Sequence, residues 1–220
     1  MIKKRPKYKI PGLPQAQGLY NPVNEHDACG VGMVLDIKNR ASYEIVSKGL
    51  AMLCNLEHRG AVGADPKAGD GSGLLIQIPH KFLKKKVSKN FDLPEVGNYA
   101  VGVIFMPKEK NTQEKIKIIV EENCQNEGVD ILGWRLCPTQ TGDLGWSVLP
   151  STPDVFQIFL KRPEDQKTQD DFERKLYILR RCIEESVVNI SEKLQEGFYI
   201  PSLSSRTILY KGMVLADQVG

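Results

Sequence analysis

Short apolar runs typical of β-strands are mixed irregularly with three longer stretches of helical periodicity along this chain of 220 residues. The strand-like runs lie at 31–36, 74–78, 99–106, 130–136, 155–161, 198–203 and 207–210. Apolar residues recur at helical spacing from position 42 to about 57, from 112 to 127 and from 169 to 189. Because the order is not a strict βαβ repeat, it predicts an α+β domain in which sheets pack between helical layers.

Charge is distributed unevenly, and this argues against nucleic acid as a partner. The formal net charge is +3, but residues 1–28 hold five of the 30 basic residues and two of the 27 acidic ones, which leaves 25 of each from Cys29 onward. A nucleic-acid-binding domain needs a basic face interleaved with aromatic residues, and the balanced remainder offers none.

Residues 1–28 form a basic leader. No apolar run approaches the 18 residues of a membrane span, and the leader lacks the apolar core of a secretion signal. Its basic residues alternate with Pro6, Pro11 and Pro14, which oppose the amphipathic helix of an organelle-targeting segment. We therefore predict a removable pro-segment over 1–28, a domain over 29–220 and a cytoplasmic location, with organelle targeting left open.

Cys29 is the strongest candidate for chemistry because it follows the leader and precedes an apolar, glycine-containing run at 30–35. If the chain is cut before it, Cys29 becomes an N-terminal nucleophile. Its thiol then attacks, and its freed α-amino group, with a reference pKa of about 7.7–8.0, accepts the proton near neutral pH. No separate histidine is then required.

The other cysteines, the histidines and the glycine loop indicate no metal or nucleotide site. Four further cysteines show neither a CxxC pair nor a disulfide framework, and we expect them to be inert and buried: Cys54, Cys124, Cys137 and Cys182. The three histidines lack metal-ligand spacing. The glycine loop at 69–73 leads from a helix into a strand, the reverse of the order in nucleotide-binding turns.

Four blocks of sequence together resemble the start of the glutamate synthase large subunit. They are Asp-Ala-Cys-Gly-Val-Gly at 27–32, Leu-Glu-His-Arg-Gly-Ala at 56–61, Gly-Asp-Gly-Ser-Gly-Leu-Leu-Ile-Gln-Ile-Pro-His at 69–80, and Ser-Leu-Ser-Ser-Arg-Thr at 202–207 with Tyr-Lys-Gly-Met at 210–213. Their order and spacing extend the resemblance over nearly the whole chain.

This resemblance implies a class II glutamine amidotransferase domain with the N-terminal nucleophile hydrolase fold, a four-layer αββα sandwich, here lacking its C-terminal part. It implies that Cys29 hydrolyses the side-chain amide of glutamine through a thioester, giving glutamate and ammonia. Arg59 and Gly60 are then expected beside Cys29 as substrate-binding residues, although Arg59 could equally be a helix-end cation that meets backbone carbonyls. The resemblance places the oxyanion donors and further pocket residues beyond Gly220.

The resemblance also implies what the wider protein contains. In glutamate synthases the ammonia converts 2-oxoglutarate to glutamate on a domain with FMN and an iron–sulfur cluster, so no cofactor is expected in this segment. The expected partners are glutamine, downstream synthase domains of the same polypeptide or a partner chain, and a reductase subunit or ferredoxin. A truncated inactive remnant, or a regulatory or interaction domain that keeps the front of the fold, is the alternative left open.

Overall fold

The computed structural model describes residues 15–18, 21, 30–56, 64–69, 71–190 and 196–219. Four α-helices lie in this part of the chain: α1 (Tyr43–Asn55), α2 (His80–Val87), α3 (Lys110–Asn126) and α4 (Gln169–Ile190). It also contains six strands: β1 (Ser72–Gln77), β2 (Tyr99–Met106), β3 (Ile131–Leu136), β4 (Asp154–Lys161), β5 (Tyr199–Ser204) and β6 (Thr207–Gly212). Helices and sheets are therefore mixed, as the α+β prediction requires.

The strands form two antiparallel sheets. Four of them pair in the order β3-β4-β2-β5, and β1 pairs with β6 in a second sheet. The register of β2 on β4 is continuous from Tyr99 opposite Lys161 to Met106 opposite Asp154. In the second sheet, Ser72 lies opposite Gly212 and Gln77 opposite Thr207.

Strand β2 is apolar along its whole length because both faces of its sheet are covered. Ala100, Ile104 and Met106 lie in one buried cluster, while Tyr99, Val101 and Val103 lie in another. This alternation is the two-residue period of a strand, with successive side chains on opposite faces. Gly102 fits between the neighbouring strands, since a Cβ there would lie 2.6 Å from the side chain of Ile158.

Helices α3 and α4 cover the first face. The predicted apolar stripe of α4 is confirmed: its five residues are at most 2% exposed and belong to the first cluster, namely Phe172, Leu176, Leu179, Ile183 and Val187. Fully burying one such aliphatic side chain contributes about 1.5–3 kcal/mol of transfer free energy. This stripe therefore attaches α4 to the four-stranded sheet.

Helix α2 and strand β6 cover the second face. Leu83 and Val87 of α2 and Ile208 of β6 are buried in the second cluster. Helix α1 contacts the small sheet, because a Cβ on the buried Gly49 would approach Leu74 of β1 to 3.2 Å. Leu74 lies on the same face of β1 as Ile76, which packs against the second cluster, and on the opposite face Leu75 is 61% exposed.

A tight corner joins the two sheets, because β5 belongs to the large sheet and β6 to the small one. The corner is bonded to α4 through Glu173, whose carboxylate accepts hydrogen bonds from the Ser205 backbone N–H at 2.7 Å and hydroxyl at 2.6 Å. The Ser204 hydroxyl also donates to Glu173, at 3.1 Å. Ser205 is 2% exposed, so its polar groups are satisfied inside the protein.

Two local predictions are wrong. The predicted strand at 31–36 pairs with no strand within the described residues, and Val31 and Met33 are 87% and 79% exposed. Apolar composition alone supplies no hydrogen-bonding partner for a strand. Helix α2 was not predicted, because its sequence is rich in lysine and only two of its residues, Leu83 and Val87, form the buried apolar stripe.

Candidate functional site

The predicted site residues Cys29, Arg59 and Gly60 lie outside the described residues. Gly30, which follows Cys29, and Leu56, the last described residue before Arg59, are in contact. A Cβ built on Gly30 would lie 3.3 Å from Cβ of Leu56. The residue after Cys29 therefore lies against the residue that caps the C-terminal end of α1.

The segment after Cys29 lies close to α1. A Cβ on Gly32 would overlap the end of the Met52 side chain, and one on Gly30 would lie 3.3 Å from Cβ of Leu56. The backbone at 30 and 32 thus lies directly on the helix. The exposed Val31 and Met33 alternate with them.

Asp65 joins the loop at 64–69 to a second loop at 141–147. Its carboxylate accepts hydrogen bonds from the Ser147 backbone N–H at 2.8 Å, the Ser147 hydroxyl at 2.7 Å and the Lys67 backbone N–H at 3.1 Å. The Ser147 backbone N–H bond is the main cause that lowers the pKa of Asp65 below its usual value. The carboxylate is therefore held in its charged form, and Asp65 is only 5% exposed.

Backbone contacts reinforce this junction and add a third loop, at 213–218. The Gly145 N–H donates to the Lys67 carbonyl at 3.2 Å. The Gln218 side-chain amide donates to the carbonyls of Asp143 at 2.7 Å and Lys67 at 3.3 Å. A Cβ on Gly69 would lie 2.6 Å from the Val214 carbonyl oxygen, so the loops meet without space between them.

A shallow hollow of about 200 Å³ lies at the surface of the junction, lined by Ala64, Asp65, Ala68, Trp146 and Ser147. The indole of Trp146 is 70% exposed beside it. Ala64 is the first described residue after the segment that contains Arg59 and Gly60. The junction is therefore the described structure that follows the predicted substrate-binding pair along the chain.

A buried polar network crosses between the two sheets. Arg135 of β3 donates to the side-chain oxygen of Gln157 at 2.6 Å, and the Gln157 amide donates to the Tyr210 hydroxyl at 2.9 Å. Gln157 is fully buried. Burial raises the pKa of Tyr210 and of the Cys137 thiol, to which Arg135 also donates at 3.5 Å.

The remaining cysteines and histidines fit no metal site. Within the described residues there is no group of three His, Cys, Asp or Glu side chains that could hold a metal ion. Burial raises the pKa of Cys124 to about 12, which disfavours the reactive thiolate. Cys54 is exposed, so the prediction that it is buried is wrong, and Cys137 and Cys182 are only partly buried. His26 and His58 lie outside the described residues.

Asp65 and Ser147 were not among the predicted site residues. The Asp-Pro-Lys sequence at 65–67 offered a partial signal, because an aspartate side chain often bonds the backbone N–H two residues later in a turn. Nothing in the sequence indicated Ser147, which lies 82 positions away.

None of the helices in the described part of the chain combines the length and the apolar composition that a membrane span requires.

Comparison with known proteins identifies the class. The family described as glutamine amidotransferases class-II matches residues 29–220, and the match begins at Cys29. The chain belongs to this family.

The similar proteins are glutamate synthases. The chain is 44% identical over 207 residues to the glutamate synthase (NADPH) large chain of Bacillus subtilis (strain 168), with 94% of this chain and 13% of that protein covered. It is 39% identical to the glutamate synthase (NADH) of Saccharomyces cerevisiae, covering 94% of this chain and 10% of that protein. It is 36% identical to the chloroplastic ferredoxin-dependent glutamate synthase 2 of Arabidopsis thaliana, covering 94% of this chain and 13% of that protein.

The chain thus spans 10–13% of the length of these relatives and is homologous to their glutamine amidotransferase domain. Among solved structures, the C-terminal domain of the MgtC protein from Mycobacterium tuberculosis matches with 14% identity, over 55% of this chain and 95% of that one. Its TM-score of 0.27 is too low to carry an argument about fold.

Proposed function

We propose that residues 29–220 are part of a domain that hydrolyses the side-chain amide of glutamine in the intact polypeptide, with Cys29 as an N-terminal nucleophile once residues 1–28 are removed; this segment by itself is expected to be inactive. The observation that carries this proposal is the family match, which starts at Cys29 and extends to the last residue. The thiols of Cys124 and Cys137 support it by contrast, because burial raises both pKa values. A nucleophilic cysteine needs the opposite shift or an adjacent base.

The proposed chemistry uses the thiol and the α-amino group of Cys29. The α-amino group of Cys29 takes the thiol proton, and the sulfur attacks the amide carbon of glutamine. The amine returns the proton to the leaving nitrogen, ammonia departs and a γ-glutamyl thioester remains. Water, deprotonated by the same amine, then releases glutamate and restores the thiol.

We propose that Arg59 and Gly60 lie beside this nucleophile and bind glutamine. The contact between Gly30 and Leu56 supports the arrangement, because Cys29 is bonded to the first and Arg59 follows the second by three positions. A chain extends at most about 3.6 Å per residue, so the backbone of Arg59 can lie no further than about 11 Å from that of Leu56.

We further propose that the complete domain is the four-layer αββα sandwich of N-terminal nucleophile hydrolases. The packing of α3 and α4 on the large sheet supports one outer layer. The packing of Ile208 of β6 in the cluster on the second face of the large sheet supports the two inner layers.

In the whole protein, we propose that the ammonia converts 2-oxoglutarate to glutamate on a synthase domain carrying FMN and an iron–sulfur cluster. The described residues of this segment do not fit either group. The described cysteines lie at separate places in the fold, and the glycine-containing segment at 69–73 enters strand β1 at Ser72 rather than a helix. The expected partners are the synthase domain and a reductase subunit or ferredoxin. Cys54, Cys124, Cys137 and Cys182 are all free thiols, which supports a reducing compartment, and we propose the cytoplasm.

The experiment that tests the glutaminase function compares two cysteine variants. In the intact polypeptide, Cys29→Ala is expected to abolish the release of glutamate from glutamine, while Cys54→Ala, which changes an exposed thiol on α1, retains it. N-terminal sequencing of the active protein is expected to begin at Cys29. Equal loss of activity in both variants, or an active preparation that retains Met1, contradicts the assignment.

A further inference from the structure

Asp65 is the one acidic residue among the buried polar residues of the described chain. A buried carboxylate is costly unless hydrogen-bond donors surround it, and Asp65 has three at 2.7–3.1 Å. Two of the donors belong to Ser147, on a loop far away in sequence. The side chain therefore fixes the loop at 64–69 to a separate part of the fold.

Asp65 lies close in sequence to the predicted substrate-binding residues Arg59 and Gly60. The segment 57–63, which includes Arg59 and Gly60, has one end at Leu56 and the other at Ala64. The Leu56 end is fixed because its N–H bonds to the carbonyls of Met52 and Leu53 at 3.2 and 3.0 Å. At the other end, Asp65 is the next residue after Ala64, and its bonds to Ser147 fix that end.

Resting on the function proposed above, we propose that Asp65 is a positioning residue for glutamine binding, which holds the loop after Arg59 and Gly60 through its bonds to Ser147. It does not touch the reacting atoms. Its loss is expected to weaken glutamine binding and to leave the intrinsic reactivity of Cys29 unchanged.

Gly145 provides an independent way to disturb the same bonds. A Cβ there would lie 2.4 Å from a carboxylate oxygen of Asp65, so even an alanine would displace the carboxylate from Ser147. Gly142, in the same loop, has no atom within 4 Å of such a Cβ. Gly145→Ala and Gly142→Ala are therefore a matched pair that adds the same methyl group.

Asp65→Asn keeps the size of the side chain but replaces one acceptor oxygen by a donor. An asparagine in this place cannot accept from both Ser147 and Lys67. Ser147→Ala is milder, since it removes the hydroxyl donor and leaves the backbone N–H. Glutamine binding is expected to be weakened most in Asp65→Asn and Gly145→Ala and less in Ser147→Ala. Gly142→Ala is expected to bind glutamine as the unmodified protein does.

The test uses the intact polypeptide as the cell produces it and measures two properties. The first is KM and kcat for glutamine hydrolysis. The second is the rate at which two electrophiles modify Cys29, followed by mass spectrometry of its peptide. One electrophile is a glutamine analogue with a diazoketone in place of the amide, and the other is iodoacetamide, which needs no glutamine pocket.

Asp65→Asn and Gly145→Ala are expected to raise KM about tenfold with kcat changed less than about threefold, the pattern of lost ground-state binding. Modification by the glutamine analogue slows in parallel, while modification by iodoacetamide does not change. A purely structural role would slow both electrophiles together, and that result overturns the proposal, as does an unchanged KM. If Asp65→Asn does not fold, the comparison of Gly145→Ala with Gly142→Ala decides. Glutamine hydrolysis that survives Cys29→Ala refutes the proposed function itself, and the role of Asp65 in it as well.

Discussion

Tyr210→Phe tests the polar network between the two sheets by removing one oxygen. The Tyr210 hydroxyl accepts a hydrogen bond from the Gln157 amide at 2.9 Å, and Gln157 is fully buried on the central strand β4. The other end of the Gln157 side chain is already occupied by Arg135, at 2.6 Å. Without the hydroxyl, the Gln157 amide loses its hydrogen-bond partner on β6.

Leaving one buried donor unpaired costs about 1–3 kcal/mol of the free energy of unfolding. For a chain of 150–250 residues, each kcal/mol lowers the midpoint of thermal unfolding by about 2–4 °C. Tyr210→Phe is therefore expected to lower this midpoint by about 2–12 °C. No apolar contact of the ring is lost, because phenylalanine keeps the ring.

Thermal unfolding followed by tryptophan fluorescence measures this, since Trp134 lies on the neighbouring strand β3. The matched control is Tyr199→Phe, because the Tyr199 hydroxyl also accepts one hydrogen bond, from Lys211 at 3.0 Å, but the residue is 42% exposed. Water replaces the lost partner there, and the midpoint is expected to stay within about 2 °C. Equal midpoints for the two variants would refute the inference that the Gln157 amide depends on Tyr210.

Two further predictions concern the core. Leu176→Ala is expected to lower the free energy of unfolding by about 2–5 kcal/mol in urea, because Leu176 is fully buried, whereas the adjacent Tyr177→Ala, at 65% exposure, changes it by less than about 0.5 kcal/mol. Burial raises the pKa of Tyr99 to about 12, above the ordinary value of 10, so its contribution to stability is complete below pH 10 and is lost as the pH rises toward 12. Tyr99→Phe is expected to reduce the fall of the urea midpoint over that range, and identical falls in both proteins would contradict this.

The elements with long, unbroken patterns could be predicted from the sequence. Strand β2 and helix α4 were placed within a residue or two, because apolar runs covered on both faces and a five-residue helical stripe are local signals. The run at 31–36 was wrong, since a strand requires a neighbour that its own sequence does not reveal. Asp65 and Ser147 could not be paired in advance, because only the fold brings together residues 82 positions apart. Cys29, Arg59 and Gly60 remain predictions.

The corner between β5 and β6 has a mechanical consequence. Glu173 bonds Ser204 and Ser205 there, so the two sheets are held together at the start of β6. Strand β6 leads from the corner to Gly212 over about 17 Å, and between its ends the Tyr210 hydroxyl accepts a hydrogen bond from Gln157 of the large sheet. Beyond Gly212, Gln218 and Asp65 bond the loop between β3 and β4, so the small sheet is fastened to the large one at three places, and the loss of any one leaves two in position.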